Sequence, residues 1–501
     1  MKNKWKNTAP KTSARQLQQT VTQLLLSGQG EEAWKKIQAR LIFSPRDTWF
    51  LDEAARYCRR NGKFDEAIRY YQRSLAIQTR NAYAQNGIGL AYYEQGKYDE
   101  AEKYYRNALS IEPSYVGCHN NYAIMLHKMD RYQEAIEQYE LALKFDPDYV
   151  NASYGLASVF AHIQQLDAAK TQLNHLVEHH PNDIRSQTAL GMILLQQGDF
   201  KQGWRLYRGR YSAKNIHRFV KSPALKQPYW NGRNLQEKRI LVYREQGLGD
   251  EIQFCRFAAR LKQEKGASAV YLVCKQAVYP LFRQLPHIDK VIIEGDEMPD
   301  FDTWVLLLDL PRYFLNSAVP FGIMPPYFSA DPALLAKWLL PKNTDSPLRV
   351  GLVWKGTPQH NNDSHRSLKN LNELRPLWDV AGIEWISLQK GAGEEEALAA
   401  PTDMPIRALG HQVQNYADTA AIISQLDLVI SVDTSVAHLA GAMNKPCWVL
   451  IPAIATDWRW QQKQETSVWY PSMRLFRREI TEEWDKTIIE IRDALMAWQE
   501  K

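Results

Sequence analysis

The chain has 501 residues, 45% hydrophobic and 24% charged, which predicts an ordinary soluble globular protein with two or three cores rather than one. The 62 basic and 56 acidic residues leave a formal charge of +6, too mild and too dispersed to argue for nucleic acid. No run of about 18 apolar residues occurs, which excludes a membrane-spanning helix, and no apolar stretch fit for a signal peptide follows the basic start Met1-Lys2-Asn3-Lys4-Trp5-Lys6.

Residues 14–217 repeat with a period of 34. Gly89, Tyr92, Ala101, Tyr105, Ala108 and Pro113 return as Ala123, Leu126, Ala135, Tyr139, Ala142 and Pro147, and again as Ala157, Phe160, Ala169, Leu173 and Pro181. Earlier copies hold Ala55, Cys58, Ala67 and Tyr71, and Val21, Leu24, Ala33, Ile37 and Pro45; a later one holds Gly191, Leu194, Gly203 and Tyr207. Six units result, each predicted to be two antiparallel helices. Small residues let the backbones approach, tyrosines fill the layer between hairpins, and proline ends the second helix because it lacks the N–H a helix needs. Turns such as Gly62-Lys63-Phe64-Asp65 and Gly96-Lys97-Tyr98-Asp99 join the two. One unit alone cannot bury its apolar face, so the units are expected to stack into an α-solenoid with a concave groove.

This pattern resembles the tetratricopeptide-repeat family over about two fifths of the chain. The resemblance implies a protein or peptide partner in the groove. Asn86, Asn120, Asn121 and Asn151, on first helices, are candidates to clamp a peptide backbone, weighed equally against plain solvation. An array that serves only homodimerisation is the blander alternative.

The period disappears after Phe219, and residues 218–238 read as a linker containing Pro223 and Gly232. Strands are predicted at 239–244, 269–274, 290–293 and 303–308, with a tight turn at Gly247-Leu248-Gly249-Asp250 and a helix over 251–265. These form a first Rossmann-like half, 239–330. A proline-rich stretch, 320–347, precedes a second half, 347–480, with strands at 348–354, 384–388, 428–432 and 447–451. Strands alternating with helices predict parallel, doubly wound sheets whose ligands sit at the carboxyl ends of the strands. A terminal segment, 481–501, is expected to be a helix crossing back to brace both halves. The five cysteines, Cys58, Cys118, Cys255, Cys274 and Cys447, are odd in number, widely spaced and without CxxC, so neither a disulfide framework nor a zinc site follows. A reducing, cytoplasmic location fits best.

Three segments carry chemistry. After the strand ending at Val432, Asp433, Thr434 and Ser435 open a short helix rich in small residues and containing His438. Its free backbone N–H groups would face an anion in the cleft, although an ordinary helix cap explains the same residues. After the strand ending near Trp354 come Lys355, Gly356 and Thr357, then His360, Asp363, His365, Arg366 and Ser367. Lys355 and Arg366 are candidates to neutralise a departing diphosphate. In the first half, Gln246, Gly247, Gly249 and Asp250 form a cleft loop. Asp250 suits a general base, or equally a helix cap. The loop is not GxGxxG, which argues against a dinucleotide. Asp300-Phe301-Asp302 reads as a solvated turn, and His179, His180, His360 and His365 lack metal-ligand spacing.

Together these segments resemble bacterial tetratricopeptide-linked glycosyltransferases, related to the ADP-heptose heptosyltransferases and distantly to O-linked N-acetylglucosamine transferases, over about residues 240–476. Gly249-Asp250 matches the motif whose aspartate is the base in that group, and Asp433-Thr434-Ser435 with His438 matches its nucleotide-sugar motif. Ser435 and Val436 depart from the heptosyltransferase pattern, so the donor's identity stays open. Arg366 lies near the position of a phosphate-binding lysine. Asp457-Trp458-Arg459-Trp460 and Trp469-Tyr470-Pro471 match the aromatic tail of the bacterial group. The resemblance implies a GT-B fold and an inverting transfer from a nucleotide diphosphate sugar, with no metal and no cofactor. Asp250 would take the acceptor's proton, and the diphosphate would leave toward Thr434, Arg366 and Lys355. The acceptor is expected to be a protein, peptide or glycan presented by the repeats. The alternative is a non-catalytic interaction scaffold whose α/β part is inactive or only senses a nucleotide sugar.

Overall fold

The computed structural model describes residues 13–211, 223, 225–316, 321–322, 324–341, 348–480 and 482–500. The basic start, Phe219 and the first part of the linker, Thr481, and parts of the proline-rich stretch lie outside them.

Twelve helices form the repeats. First helices are α1 (Ala14–Leu26), α3 (Thr48–Arg60), α5 (Ala82–Glu94), α7 (Val116–Lys128), α9 (Val150–His162) and α11 (Ile184–Gln196). Second helices are α2 (Gly30–Phe43), α4 (Phe64–Ile77), α6 (Tyr98–Ile111), α8 (Tyr132–Phe145), α10 (Leu166–His179) and α12 (Phe200–Tyr207). Both sets start every 34 residues. The turn inside each hairpin needs a left-handed residue, and Gly28, Gly62, Gly96 and Gly198 supply it at φ of 78°, 73°, 76° and 88°. Asp130 and Gln164 adopt the same conformation at 60° and 61°, which L residues resist. Ala33, Ala67, Ala101, Ala135 and Ala169 are fully buried where the paired helices meet.

The chain divides into two compact units, Met1–Val159 and Phe160–Lys501. The break falls within α9 rather than at the linker. Its cause is visible in the second unit, where Leu195, Trp204 and Tyr207 of the last repeat share one core with Ile240, Val242, Phe254 and Trp458.

The second unit holds two parallel sheets. One has four strands in the order β3-β2-β1-β4: β1 (Arg239–Tyr243), β2 (Ala269–Cys274), β3 (Lys290–Ile293) and β4 (Thr303–Leu306). The other has six in the order β10-β9-β8-β5-β6-β7: β5 (Leu348–Val353), β6 (Ile383–Ser387), β7 (Arg407–Ala408), β8 (Leu428–Val432), β9 (Cys447–Ile451) and β10 (Met473–Arg477). Alternation sorts the side chains. Ile240 and Val242 of β1, Val429 of β8, and Val449 and Ile451 of β9 join the core containing the last repeat. Leu241 and Tyr243 face a separate cluster with Phe301 and Trp304, while Leu428, Ile430, Trp448 and Leu450 pack on the far side of the six-stranded sheet.

Several expectations are corrected. The helix foreseen over 251–265 starts earlier and breaks at Ala259 into Leu248–Ala258 and Arg260–Lys265. The strand foreseen to 308 stops at Leu306, and a 3-10 helix, Leu307–Tyr313, follows. Strands β7 and β10 were not foreseen; β10 falls among the tail aromatics and adds an edge beside β9. The last helix, Trp484–Gln499, does not serve as a brace between the halves. Trp484, Ile488, Ile491 and Leu495 cover the outer face of the six-stranded sheet. All five cysteines are buried and unpaired. Among the described residues no helix is long and apolar enough to cross a membrane.

Candidate functional site

Strand β1 runs into residues 244–247 and then the helix Leu248–Ala258. Gly247 N–H donates to Asp250 Oδ2 at 2.8 Å, so Asp250 does cap its own helix. Its other oxygen, Oδ1, is paired with Arg459 Nη2, from the 3-10 turn Trp458–Trp460 beyond β9. Arg459 also places Nη1 2.9 Å from both Asp457 oxygens and Nε 2.6 Å from Gln253 Oε1. The Arg459 side chain is only 7% exposed, so its charge is carried by these partners rather than by water. Burial pushes the Asp250 carboxyl above its ordinary range, while Arg459 pulls it back and Asp457 pushes it up.

The opposite wall is the end of β8. Asp433 follows the strand, and Thr434, extended at φ −139° and ψ 169°, is the N-cap of the helix Ser435–Ala442. Thr434 makes no side-chain cap bond; its hydroxyl lies 3.0 Å from Ser431 Oγ. Ser435 Oγ pairs with Tyr416 Oη. The first N–H groups of this helix are therefore left without a side-chain cap, as an anion-receiving terminus requires. His438 is held by Tyr470 Oη at 3.1 Å from Nδ1 and stacks on Trp460 with ring centroids 5.4 Å apart. Burial, then Arg459, Arg256 and Arg366, drive the imidazole pKa well below its usual value, so the ring is neutral. Asp433 is raised to about 6, first by burial and then by Asp457.

Arg366 lies at this strand end: Nη1 donates to the Asp433 carbonyl at 3.0 Å and Nε to Asp363 Oδ1 at 3.2 Å. Gly356 makes room for it, since a Cβ there would stand 2.5 Å from Arg366 Nη2. Lys355 points elsewhere. Its Nζ sits 2.5 Å from Glu396 Oε1, and Glu396 Oε2 accepts from Trp354 Nε1 at 3.1 Å and Leu371 N–H at 2.6 Å. That cluster ties the loops after β5 and β6 together.

The two walls touch. A Cβ on Gly249 would stand 2.7 Å from His438 Cδ2, so this glycine is what lets the two helix N-termini meet. Asp250, Gly247, Gly249, Asp433, Thr434, Ser435, His438 and Arg366 are thus gathered around one junction. Gln246, at φ 62°, turns its side chain to Tyr207, donating from Nε2 to Tyr207 Oη at 3.1 Å. Sequence reasoning missed the roles of Arg459, Gln253, Tyr470 and Glu396. The available sign was an arginine between two tryptophans, just past the carboxyl end of a buried strand.

Asp302 accepts from Arg239 N–H at 2.8 Å and from its guanidinium at 3.2 Å, pinning the start of β1 on the surface. No group of three or more His, Cys, Asp or Glu side chains able to hold a metal occurs among the described residues. In the repeats, Asn121 Nδ2 donates to Asn86 Oδ1 at 3.0 Å, and Asn120 is buried. Asn151 lies exposed on α9.

The tetratricopeptide-repeat family matches residues 48–114, 80–148 and 126–193. Protein FlbA of Caulobacter vibrioides is 28% identical over 340 residues, 63% of this chain and 56% of that protein, so the chain spans little more than half the length of this relative. Among solved structures, pilF of Pseudomonas aeruginosa is similar over 39% of this chain and 89% of its own, at 18% identity and a TM-score of 0.35. A thermophilic repeat protein of Thermus thermophilus, TTC0263, is similar over 36% of this chain and 100% of its own, at 20% identity and a TM-score of 0.34. The chain carries tetratricopeptide repeats, joined to an α/β region built on two parallel sheets.

Proposed function

We propose that the chain is a glycosyltransferase of GT-B type, moving a sugar from a nucleotide diphosphate sugar to an acceptor hydroxyl with inversion and without a metal. The observation that carries this reading is the junction at which Gly249, next to Asp250, meets His438 on the helix that Thr434 caps. A carboxylate at one helix start and an anion-receiving helix start opposite it are the two parts an inverting transfer needs. In that reaction the acceptor oxygen bonds to the anomeric carbon, the bond from that carbon to the diphosphate oxygen breaks, and Asp250 receives the hydroxyl proton. The nucleoside diphosphate leaves toward the Ser435–Ala442 helix, where the Arg366 guanidinium offsets its charge. Arg459 opposes the rise that burial imposes on the Asp250 pKa and so favours the ionised base. The repeats would present a protein, peptide or glycan acceptor, raising its effective concentration at the junction.

A second reading rests on one observation: both Asp250 oxygens already have partners, Gly247 N–H and Arg459. On that reading the α/β region senses a nucleotide sugar without transferring it, and the repeats are the working part.

The test begins with thermal shifts against UDP-, GDP-, ADP- and CMP-linked sugars, since a ligand that binds only the folded state raises its midpoint. With the donor that shifts, Asp250→Asn should keep the shift yet lose turnover by roughly 10²–10⁴-fold. Normal turnover in that variant would sink the base assignment. A donor shift without any turnover by the unaltered chain, over a broad set of acceptors, would favour the sensor.

A further inference from the structure

We infer that the last repeat hairpin is a wall of this site, and that Tyr207 and Arg210 are positioning residues for the loop that presents Asp250. The inference rests on the reading of Asp250 given above and adds to it residues from a module that otherwise has only a binding role.

Residues 244–247 are held from the repeat side by directional bonds rather than by apolar contact alone. The Glu245 carboxylate is fully buried and takes Arg210 Nε at 3.1 Å, Arg210 Nη2 at 3.3 Å, Tyr211 Oη at 2.7 Å and Leu308 N–H at 3.3 Å. Arg210 is itself fixed: Nη1 donates to the Tyr207 carbonyl at 3.1 Å, and the guanidinium lies 4.2 and 3.8 Å from the rings of Tyr207 and Tyr211. The next residue, Gln246, is left-handed without being glycine, and its amide is anchored on Tyr207 Oη. A strained backbone of this kind persists only where its surroundings over-determine it. Gly247, Gly249 and Asp250 follow directly, so the hairpin sets the point from which the Asp250 helix starts.

The same hairpin reaches the partner of Asp250. Trp204 meets Phe254, one turn beyond Asp250, and Trp458, next to Arg459, with ring centroids 6.0 and 5.3 Å apart. The Arg459 loop contains three left-handed non-glycine residues, Ala455, Gln461 and Lys463. It is tied to the preceding repeat by Ala455 N–H on the His162 carbonyl at 2.8 Å and Gln462 Nε2 on the Gln164 carbonyl at 2.6 Å. Both loops that form the Asp250–Arg459 pair are therefore braced by residues 160–211, and a buried ion pair depends on such geometry.

Tyr207→Phe removes only the hydroxyl and tests the inference in the full chain. Amide hydrogen exchange at residues 244–251 should quicken about tenfold, with β2 and β9 unchanged. Gln246→Leu should reproduce the effect, and the double variant should add nothing to it, as coupled partners require. With any UDP-, GDP-, ADP- or CMP-sugar that the unaltered chain turns over, Tyr207→Phe should lower kcat about tenfold and leave KM for the donor unchanged. Unchanged exchange at 244–251 overturns the inference, whatever the turnover. Faster exchange spread over the whole of 160–501, with kcat intact, also overturns it, because that is a packing contact only. Asp250→Asn separates the two claims: full turnover there rejects the transfer reading, while the exchange result still decides whether the hairpin positions the loop.

Discussion

A carboxylate in the first turn of a helix serves its own backbone first, and Asp250 does so through Gly247 N–H. What distinguishes it is the second partner, Arg459, brought from 209 residues away. Asp433 is a second acid at the junction, and its titration is open to measurement. Burial raises it from 3.8 to about 6, so between about pH 4 and 6 the folded chain holds a proton there that the unfolded chain has released. The contribution this makes to stability is present below about 4 and is lost as pH rises through about 6. Asp433→Asn carries no such titration. Its stability relative to the unaltered chain should therefore climb between pH 4 and pH 7, measured by urea unfolding at each pH. A difference that stays flat would show that Asp433 titrates as an ordinary surface acid.

At the scale of elements, the period of 34 decided where all twelve repeat helices begin, because each turn demands a left-handed residue at one fixed place. Two close approaches within the array were not read from the sequence. Gly87 and Gly155 lie against the rings of Tyr71 and Tyr139, where an added Cβ would overlap the ring. The α/β elements were legible where an apolar run ended cleanly, as in β2, β3, β8 and β9. They were illegible where tertiary contact overrides the pattern. Strand β10 buries Met473, Leu475 and Phe476 and exposes only Arg474, so it shows no clean period of two, and it lies among aromatics that looked like a tail. Gly249 is the glycine on which the junction turns. His438 cannot yield easily, being held by Tyr470 and Trp460, so Gly249→Ala should destabilise the second unit by about 1–3 kcal/mol. The denaturant midpoint of the variant measures this. A neutral result would mean that the two helix starts have slack between them.

For the whole molecule, the texture of the sequence changes after residue 217, but the compact division lies near residue 160. Composition and period register the kind of element, not the core to which it belongs. Tyr207 keeps the repeat spacing while its side chain, with that of its neighbour Trp204, lies in the core of the α/β region. A fragment 160–501 should therefore melt cooperatively, whereas a fragment 218–501, which lacks Leu195, Trp204, Tyr207 and Arg210, should not. A cooperative melt from 218–501 would show that the α/β core is complete without the last repeat.

The helical hairpins, most strands, and the segments containing Asp250, Thr434 and Arg366 were legible in the order of residues alone, because they follow from local periodicity and from the residues that start and stop elements. Which charges meet was settled by the fold. It paired Asp250 with Arg459, diverted Lys355 to Glu396, and set Glu245 on Arg210. These choices depend on distances between segments far apart in the chain and on the cost of leaving a buried charge unpaired, and neither quantity is written in any local stretch of sequence.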